Sequence, residues 1–272
     1  MTMEMHFPAT PLGLFIESFI YYKDYQPGHH IDRFFPDGDI YAIIDLTEEP
    51  KYIFDNQTLQ PIQTCRKVWF SGLRTSYISI PSCGESEMFV INFRKGRAYP
   101  FVQGPLSAYT DSVVDGEQSF RKDILQLREA LLPLPGAREK FVLAEKLLMT
   151  QYGSSLIVNP CVDYAVNQIL LDPAQTTITK LSGKIGYSHK HLIRLFRDHT
   201  GLSPKEFLKI IRFQKAITWI DQPFAEGWTG IAAASGYYDQ AHFIHEFKNY
   251  SGFTPARFLE RQRAFTNYVA VD

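Results

Sequence analysis

The chain has 272 residues, 45% of them hydrophobic and 21% charged, with a formal net charge of -1. That length suits two domains, and the composition is that of a soluble globular protein. No apolar run approaches the roughly 20 residues that span a bilayer, Met1 to Thr10 lacks the basic and apolar regions of a signal peptide, and Cys65, Cys83 and Cys161 have neither zinc-site nor disulfide-framework spacing, which suits a reducing cytoplasm.

The small net charge hides a division. Residues 1–176 hold 15 Lys and Arg against 21 Asp and Glu, whereas residues 177–263 hold 13 against 7. A basic module that follows an acidic one is suited to meet a polyanion, and a solvated surface yields the same surplus.

In chain order, Pro11 to Tyr22 comes first. Leu12, Phe15, Ile16 and Phe19 recur there at helical spacing, so an early amphipathic helix is expected. The rest of residues 1–118 reads as β. Short runs rich in Ile, Phe, Tyr and Val stand at 33–35, 40–46, 51–54, 68–70, 77–80 and 88–93. Turn residues separate them, among them Pro36-Asp37-Gly38, Asp55-Asn56, Ser71-Gly72 and Cys83-Gly84. Regularly spaced short strands predict an antiparallel barrel or sandwich. Its aromatic residues Phe34, Tyr41, Trp69, Phe70, Tyr77, Phe89 and Phe93 either fill a core or line a small-molecule pocket. His29-His30 beside Asp32 lacks the spacing of a metal site, so no metal or other cofactor is expected.

Residues 119–159 turn helical and read as a connector. Ser119 is a candidate cap for a helix to about Leu131, Pro133-Leu-Pro-Gly136 is a break, and Arg138 to Tyr152 carries an apolar stripe. Asn159-Pro160 then starts a helix through Leu171, which opens an all-α segment at 160–265.

That segment repeats itself. Ile178 to Phe207 carries Leu181, Gly186-Tyr187, His191-Leu192, Phe196, Gly201 and Pro204, and Trp228 to Phe258 carries Ile231, Gly236-Tyr237, His242-Phe243, Phe247, Gly252 and Pro255. The offset is 50 residues before the second turn and 51 after it, so Tyr238 is one extra residue. Each copy predicts a short helix, a turn through a glycine, and a second helix capped by Ser188 or Asp239. In the first copy Leu192, Leu195, Phe196 and His199 fall on the inward face, leaving Lys190, Ile193, Arg194 and Arg197 outward. In the second copy Gln240, Ala241, Ile244, His245 and Lys248 face out. Ser203-Pro204-Lys205-Glu206 starts a long helix, expected to run to about Asp221 before Gln222-Pro223, that joins the copies. Two helix-turn-helix units so joined are able to enter successive major grooves.

Gly201-Leu-Ser-Pro204, Gly252-Phe-Thr-Pro255, Ala241-His-Phe243 and Phe247-Lys248 make residues 160–263 resemble the DNA-binding domain of AraC-type bacterial transcriptional regulators. Pro36-Asp37-Gly38 resembles a turn in the cupin-like amino-terminal domain of one subgroup. The resemblance implies an α+β chain of two domains. A cupin-like ligand-sensing or dimerisation domain would span 1–118, a connector 119–159, and a DNA-binding domain 160–265. It implies base contacts from Lys190, Ile193, Arg194, Gln240, Ala241 and His245. Phosphate contacts would come from Lys184, Ser188, Arg197, Lys205, Lys209, Asp239 and Lys248. Implied partners are operator DNA, a small-molecule effector, a second copy of the chain and, for an activator, RNA polymerase. No phosphate loop, catalytic triad or metal-ligand spacing argues for an enzyme. A cupin-like binder or enzyme with a helical interaction module is the alternative.

Overall fold

A computed structural model of the chain describes residues 2–82, 85–220, 227–261 and 267–271. The expected Cys83-Gly84 turn and the Gln222-Pro223 stop lie outside those residues. The strands are β1 (Thr2–His6), β2 (Ile16–Lys23), β3 (Ile31–Phe34), β4 (Ile40–Asp45), β5 (Lys51–Phe54), β6 (Pro61–Cys65), β7 (Val68–Ser71), β8 (Ile78–Pro81), β9 (Glu87–Phe93), β10 (Val113–Asp115) and β11 (Tyr268–Ala270). The helices are α1 (Gly116–Ser119), α2 (Ile124–Leu131), α3 (Ala137–Tyr152), α4 (Pro160–Leu171), α5 (Ile178–Ile185), α6 (His189–Thr200), α7 (Pro204–Trp219), α8 (Gly227–Ala234), α9 (Gln240–Ser251) and α10 (Pro255–Arg261). No helix among the described residues is long and apolar enough to cross a membrane.

The strands form two antiparallel sheets. One has the order β1-β2-β9-β4-β7-β10, the other β11-β3-β8-β5-β6. In the larger sheet Phe19, Ile91, Ala42 and Phe70 lie opposite one another in a row. All four are fully buried beneath the connector helices, where Phe89 meets Phe141 at 5.8 Å and Phe70 meets Phe120 at 5.7 Å. Strand alternation turns the next row, Ile20, Val90, Ile43 and Trp69, to the other face. On that face burial raises the Tyr22 phenol, with Asp45, Tyr25 and Asp32 adding to the effect. Asp32 belongs to the second sheet, so this face looks toward it.

The early helix does not form. Leu12–Leu14 is a single 3-10 turn, and Ile16–Lys23 is strand β2, paired on both sides by β1 and β9. Leu12, Phe15, Ile16 and Phe19 are buried as their hydrophobicity requires. Ladder bonds on both edges outweigh a helical spacing carried by four residues, and the run Ile-Glu-Ser-Phe-Ile-Tyr-Tyr suits a strand. The connector also starts differently. Ser119 closes α1, and Asp123 caps α2 by accepting the Leu125 N–H at 3.0 Å.

Two halves of the chain pack closely. Gly38 (φ +80°) sits where a Cβ would meet Ile211 and Phe207 of α7 at 3.2–3.4 Å, so the Pro36-Asp37-Gly38 turn lies against that helix. Thr110 donates a 2.6 Å hydrogen bond to the Gly201 carbonyl at the end of α6. Arg97 pairs with Asp163 of α4.

Candidate nucleic-acid interface

The first unit is built from α5 and α6. Thr177 caps α5, accepting the Lys180 N–H at 3.2 Å, and Gly186 ends it in the left-handed region at φ +79°. Ser188 then caps α6 through the His191 N–H at 3.3 Å. Leu192 and Phe196 are fully buried, and Phe196 meets Phe207 of α7 edge-on at 5.7 Å. His199 packs at a tilt against Tyr99, with ring centroids 4.1 Å apart, and burial lowers its pKa, although Asp198 opposes the shift. The opposite face is open: Lys190, Arg194 and Arg197 are exposed and Ile193 is half-buried. Among the described residues Lys190 and Arg194 have no hydrogen bond or ion pair, so both cations are available to a ligand.

The second unit repeats the frame with a different grip. Asp239 caps α9, accepting the His242 N–H at 2.7 Å, and Phe243 and Phe247 are fully buried. Ala241, His245 and Lys248 are exposed. Gln240 is half-buried, and its amide oxygen accepts from Thr229 at 3.0 Å. Ile244 packs partly against the core rather than facing out. Glu246 is buried between Lys209 of α7 at 2.5 Å and His242 at 3.5 Å, which ties α9 to the linker helix.

The expected phosphate-contacting residues fall into three groups. Lys184, Arg197, Lys205 and Lys248 are exposed cations. Lys209 is half-buried and holds Glu246. Ser188 and Asp239 are committed as caps, where the accessible groups are amides of the first helical turn. The amino-terminal aromatics divide too. Phe70, Phe89 and Phe93 lie in the packed core beneath the connector, and Tyr77 lies under the Arg33 guanidinium at 4.3 Å. Tyr41 donates to Asp37 at 2.6 Å and lines a cleft of about 590 Å³ between the Pro36-Asp37-Gly38 turn, α4 and α7. Trp69 and Phe34 are half-buried on strands of the two sheets.

Pattern reading passed over one pair of residues in each unit. Tyr187 packs edge-on against His191 at 4.5 Å, and Tyr237 against His242 at 5.5 Å, so each turn is buttressed by the first turn of the helix that follows it. The signal was present, because both Tyr and both His recur in the repeat. Tyr238, the inserted residue, is 93% exposed beside the α9 cap.

This geometry agrees with comparisons to known proteins. Residues 181–261 match the model of a helix-turn-helix domain family, and residues 4–115 match that of a domain of unknown function, DUF6597. An uncharacterized HTH-type transcriptional regulator of Haemophilus influenzae is 35% identical over 81 residues, covering 30% of this chain and 27% of that protein. The Msm operon regulatory protein of Streptococcus mutans is 29% identical over 117 residues, covering 42% and 34%. The chain thus spans about a third or less of the length of these relatives. A probable AraC family transcriptional regulator from Rhodopseudomonas palustris, solved by crystallography, is 26% identical with a TM-score of 0.35, covering 39% of this chain and 99% of that one. Two units, each with a capped second helix, a glycine turn and buried aromatics, matched by a family model over the same span, make residues 181–261 a helix-turn-helix domain.

Proposed function

We propose that this chain is a sequence-specific DNA-binding transcription regulator of the bacterial cytoplasm, with α6 and α9 entering successive major grooves of an operator. The observation that carries the reading is the outer face of α6, where Lys190 and Arg194 stand exposed and unpaired on a helix fixed by Leu192 and Phe196. Arg194 pairs bidentately with a guanine, Lys190 contacts a neighbouring base, and Ile193 packs on a thymine methyl. In α9, Gln240, Ala241 and His245 form the base-facing set, weaker because it lacks a permanent cation. Lys184, Arg197, Lys205 and Lys248 contact phosphates, as do the capped amino termini behind Ser188 and Asp239. Lys209 serves the α7–α9 junction instead. Residues 160–265 are the reading domain and residues 119–159 the connector. Residues 1–118 are the sensing domain, in which Phe34, Tyr41 and Trp69 stand closest to an effector. The regulator acts as a homodimer on paired half-sites, and as an activator it meets RNA polymerase.

The test is selection of bound duplexes from a random pool by the full chain, followed by salt titration on the selected site. The expected result is an enriched motif and a log–log salt slope of about -4 to -6 for each half-site engaged, as for five or six phosphate contacts per copy of the chain. An unenriched pool, or binding indifferent to salt, would sink the reading.

A further inference from the structure

The hydrophobic interior of the chain is split in two. The larger core runs from the six-stranded sheet through the connector into the first head, where it includes Leu181, Leu192, Phe196 and Phe207. The smaller core belongs to the second head and gathers around Phe213, Phe243, Phe247 and Phe258. The boundary falls within α7, between Ile211 and Phe213. Among the described residues, buried Phe35, which follows β3, and Val269 of β11 join the smaller core from outside the second head, with half-buried Tyr77 packed against it. Phe35 lies 5.5 Å from Phe258 and 6.3 Å from Phe213, ring to ring.

Strand β11 follows the reading domain in sequence, yet it pairs with β3 at the edge of the five-stranded sheet. Tyr268 stands opposite Phe34 and Val269 opposite Arg33. Successive residues of a strand face opposite ways, so the two report to different compartments. Val269 is 2% exposed inside the second core. Tyr268 stacks on Phe34 at 5.0 Å, and its hydroxyl lies 3.3 Å from that of Tyr25. Asn267 brackets the start of the strand. Its amide donates to Asp37 at 2.9 Å and accepts from Gln214 of α7 at 2.9 Å, while its carbonyl accepts the Phe35 N–H at 3.1 Å.

We propose that β11 is a latch that couples the five-stranded sheet to the second head. The proposal rests on the reading of the two heads as DNA readers and names how the second one is regulated. One face of the latch touches Phe34 and Tyr25 on the sensing side, and the other closes the core beneath α9. Any ligand or distortion that displaces Tyr268 therefore withdraws Val269 and loosens the second head. The first head does not depend on the latch, because its buried residues belong to the large core and not to the one that Val269 closes.

Amide hydrogen exchange, read by mass spectrometry without DNA, tests the latch. The full chain is compared with a chain lacking residues 267–272 and with Asn267→Ala. Protection in α8–α10 should fall by at least about tenfold while α5 and α6 keep theirs, since separate cores open separately. Equal loss in both heads, or no loss in either, overturns the proposal. If the shortened chain fails to fold by circular dichroism, Asn267→Ala and Tyr268→Ala decide the same comparison. A footprint on the selected duplex adds a second readout: the latch variants should keep protection under α6 and lose it under α9. Retained protection under both heads counts against the latch. A wild-type chain with no footprint overturns the DNA reading, and the exchange result then decides the latch by itself.

Discussion

The repeat supplies its own control for the cost of a turn. Gly186 and Gly236 occupy equivalent positions, with φ of +79° and +84°. A Cβ at Gly186 meets nothing within 4 Å, whereas one at Gly236 would lie 2.7 Å from the Ala174 Cα and 3.1 Å from the Arg212 Nε. Gly186→Ala therefore bears only left-handed strain, about 1–2 kcal/mol, partly offset by the roughly 0.4–1 kcal/mol that alanine removes from unfolded-chain entropy. The net loss should be about 1 kcal/mol. Gly236→Ala bears the same strain and must also push backbone away from backbone. Ala174 has little freedom to retreat, since Arg212 donates to the Pro173 carbonyl at 2.8 Å. Overpacking of this kind adds about 1–3 kcal/mol, so the total should reach about 2–4 kcal/mol. Urea denaturation monitored by circular dichroism measures both variants against the parent chain. Equal losses, or a larger loss at Gly186, would refute the steric argument and the packing of the second turn against the α4–α5 connection.

Four further outcomes are expected. Arg194→Ala should flatten the preference for one base pair, a loss of about 1–3 kcal/mol in discrimination, while Lys205→Ala should weaken all sequences alike and reduce the salt slope by about one; competition binding on single-base variants of the selected site separates the two. Lys209→Met should leave the salt slope unchanged and cost about 0.5–1 kcal/mol of stability, because this partly exposed cation holds Glu246 rather than a phosphate; a slope reduced by one would return Lys209 to the interface. Burial, together with the Asp37 carboxylate and against the pull of Lys95, raises the Asp39 carboxyl to about 7. A carboxyl raised above its unfolded value near 3.9 favours the fold while protonated, so its contribution is lost as pH climbs from about 4 to about 7; the stability difference between the parent and Asp39→Asn should change across that window, and a difference constant from pH 4 to pH 8 would contradict the assignment. Phe35→Ala should cost about 3–5 kcal/mol of local stability, as a buried aromatic does, and hydrogen exchange should place the loss in α8–α10, not in α5 and α6.

The caps were the most legible features of the sequence. Asn159, Thr177, Ser188, Ser203 and Asp239 each accept backbone N–H bonds in the structure, and the capping box of Ser203 and Glu206 is complete. These are local interactions between residues two or three apart, so local pattern found them, although Ser119, expected to cap the helix to about Leu131, closes α1 and Asp123 caps α2 instead. What depends on distant partners was not legible. Ile16–Lys23 carries apolar residues at helical spacing, and only its pairing with β1 and β9 makes it a strand. The three residues of β11 form too short a run for any periodicity, and their pairing partner lies more than 230 positions away. The outward set of α6 followed from helical spacing once Leu192 and Phe196 were assigned inward. The engagement of Lys209 with Glu246 did not, because a basic residue on a helix reads the same whether it meets solvent, phosphate or a carboxylate 37 positions away.

The inequality of the two heads extends from their surfaces to their cores. Outside, α6 presents Lys190 and Arg194 where α9 presents Gln240, Ala241 and His245. Inside, the first head shares the large core, and among the described residues the second takes Phe35 and Val269 from elsewhere. The two differences act in the same direction. A head with permanent cations gains most from being held rigid, because each bidentate contact then costs little ordering. A head that reads weakly loses little specificity when loosened, yet its engagement still adds to the affinity of the whole through a tether only one helix long. On the proposed DNA-reading function, control exerted on the second head would therefore change occupancy of the operator while leaving its recognition by α6 intact.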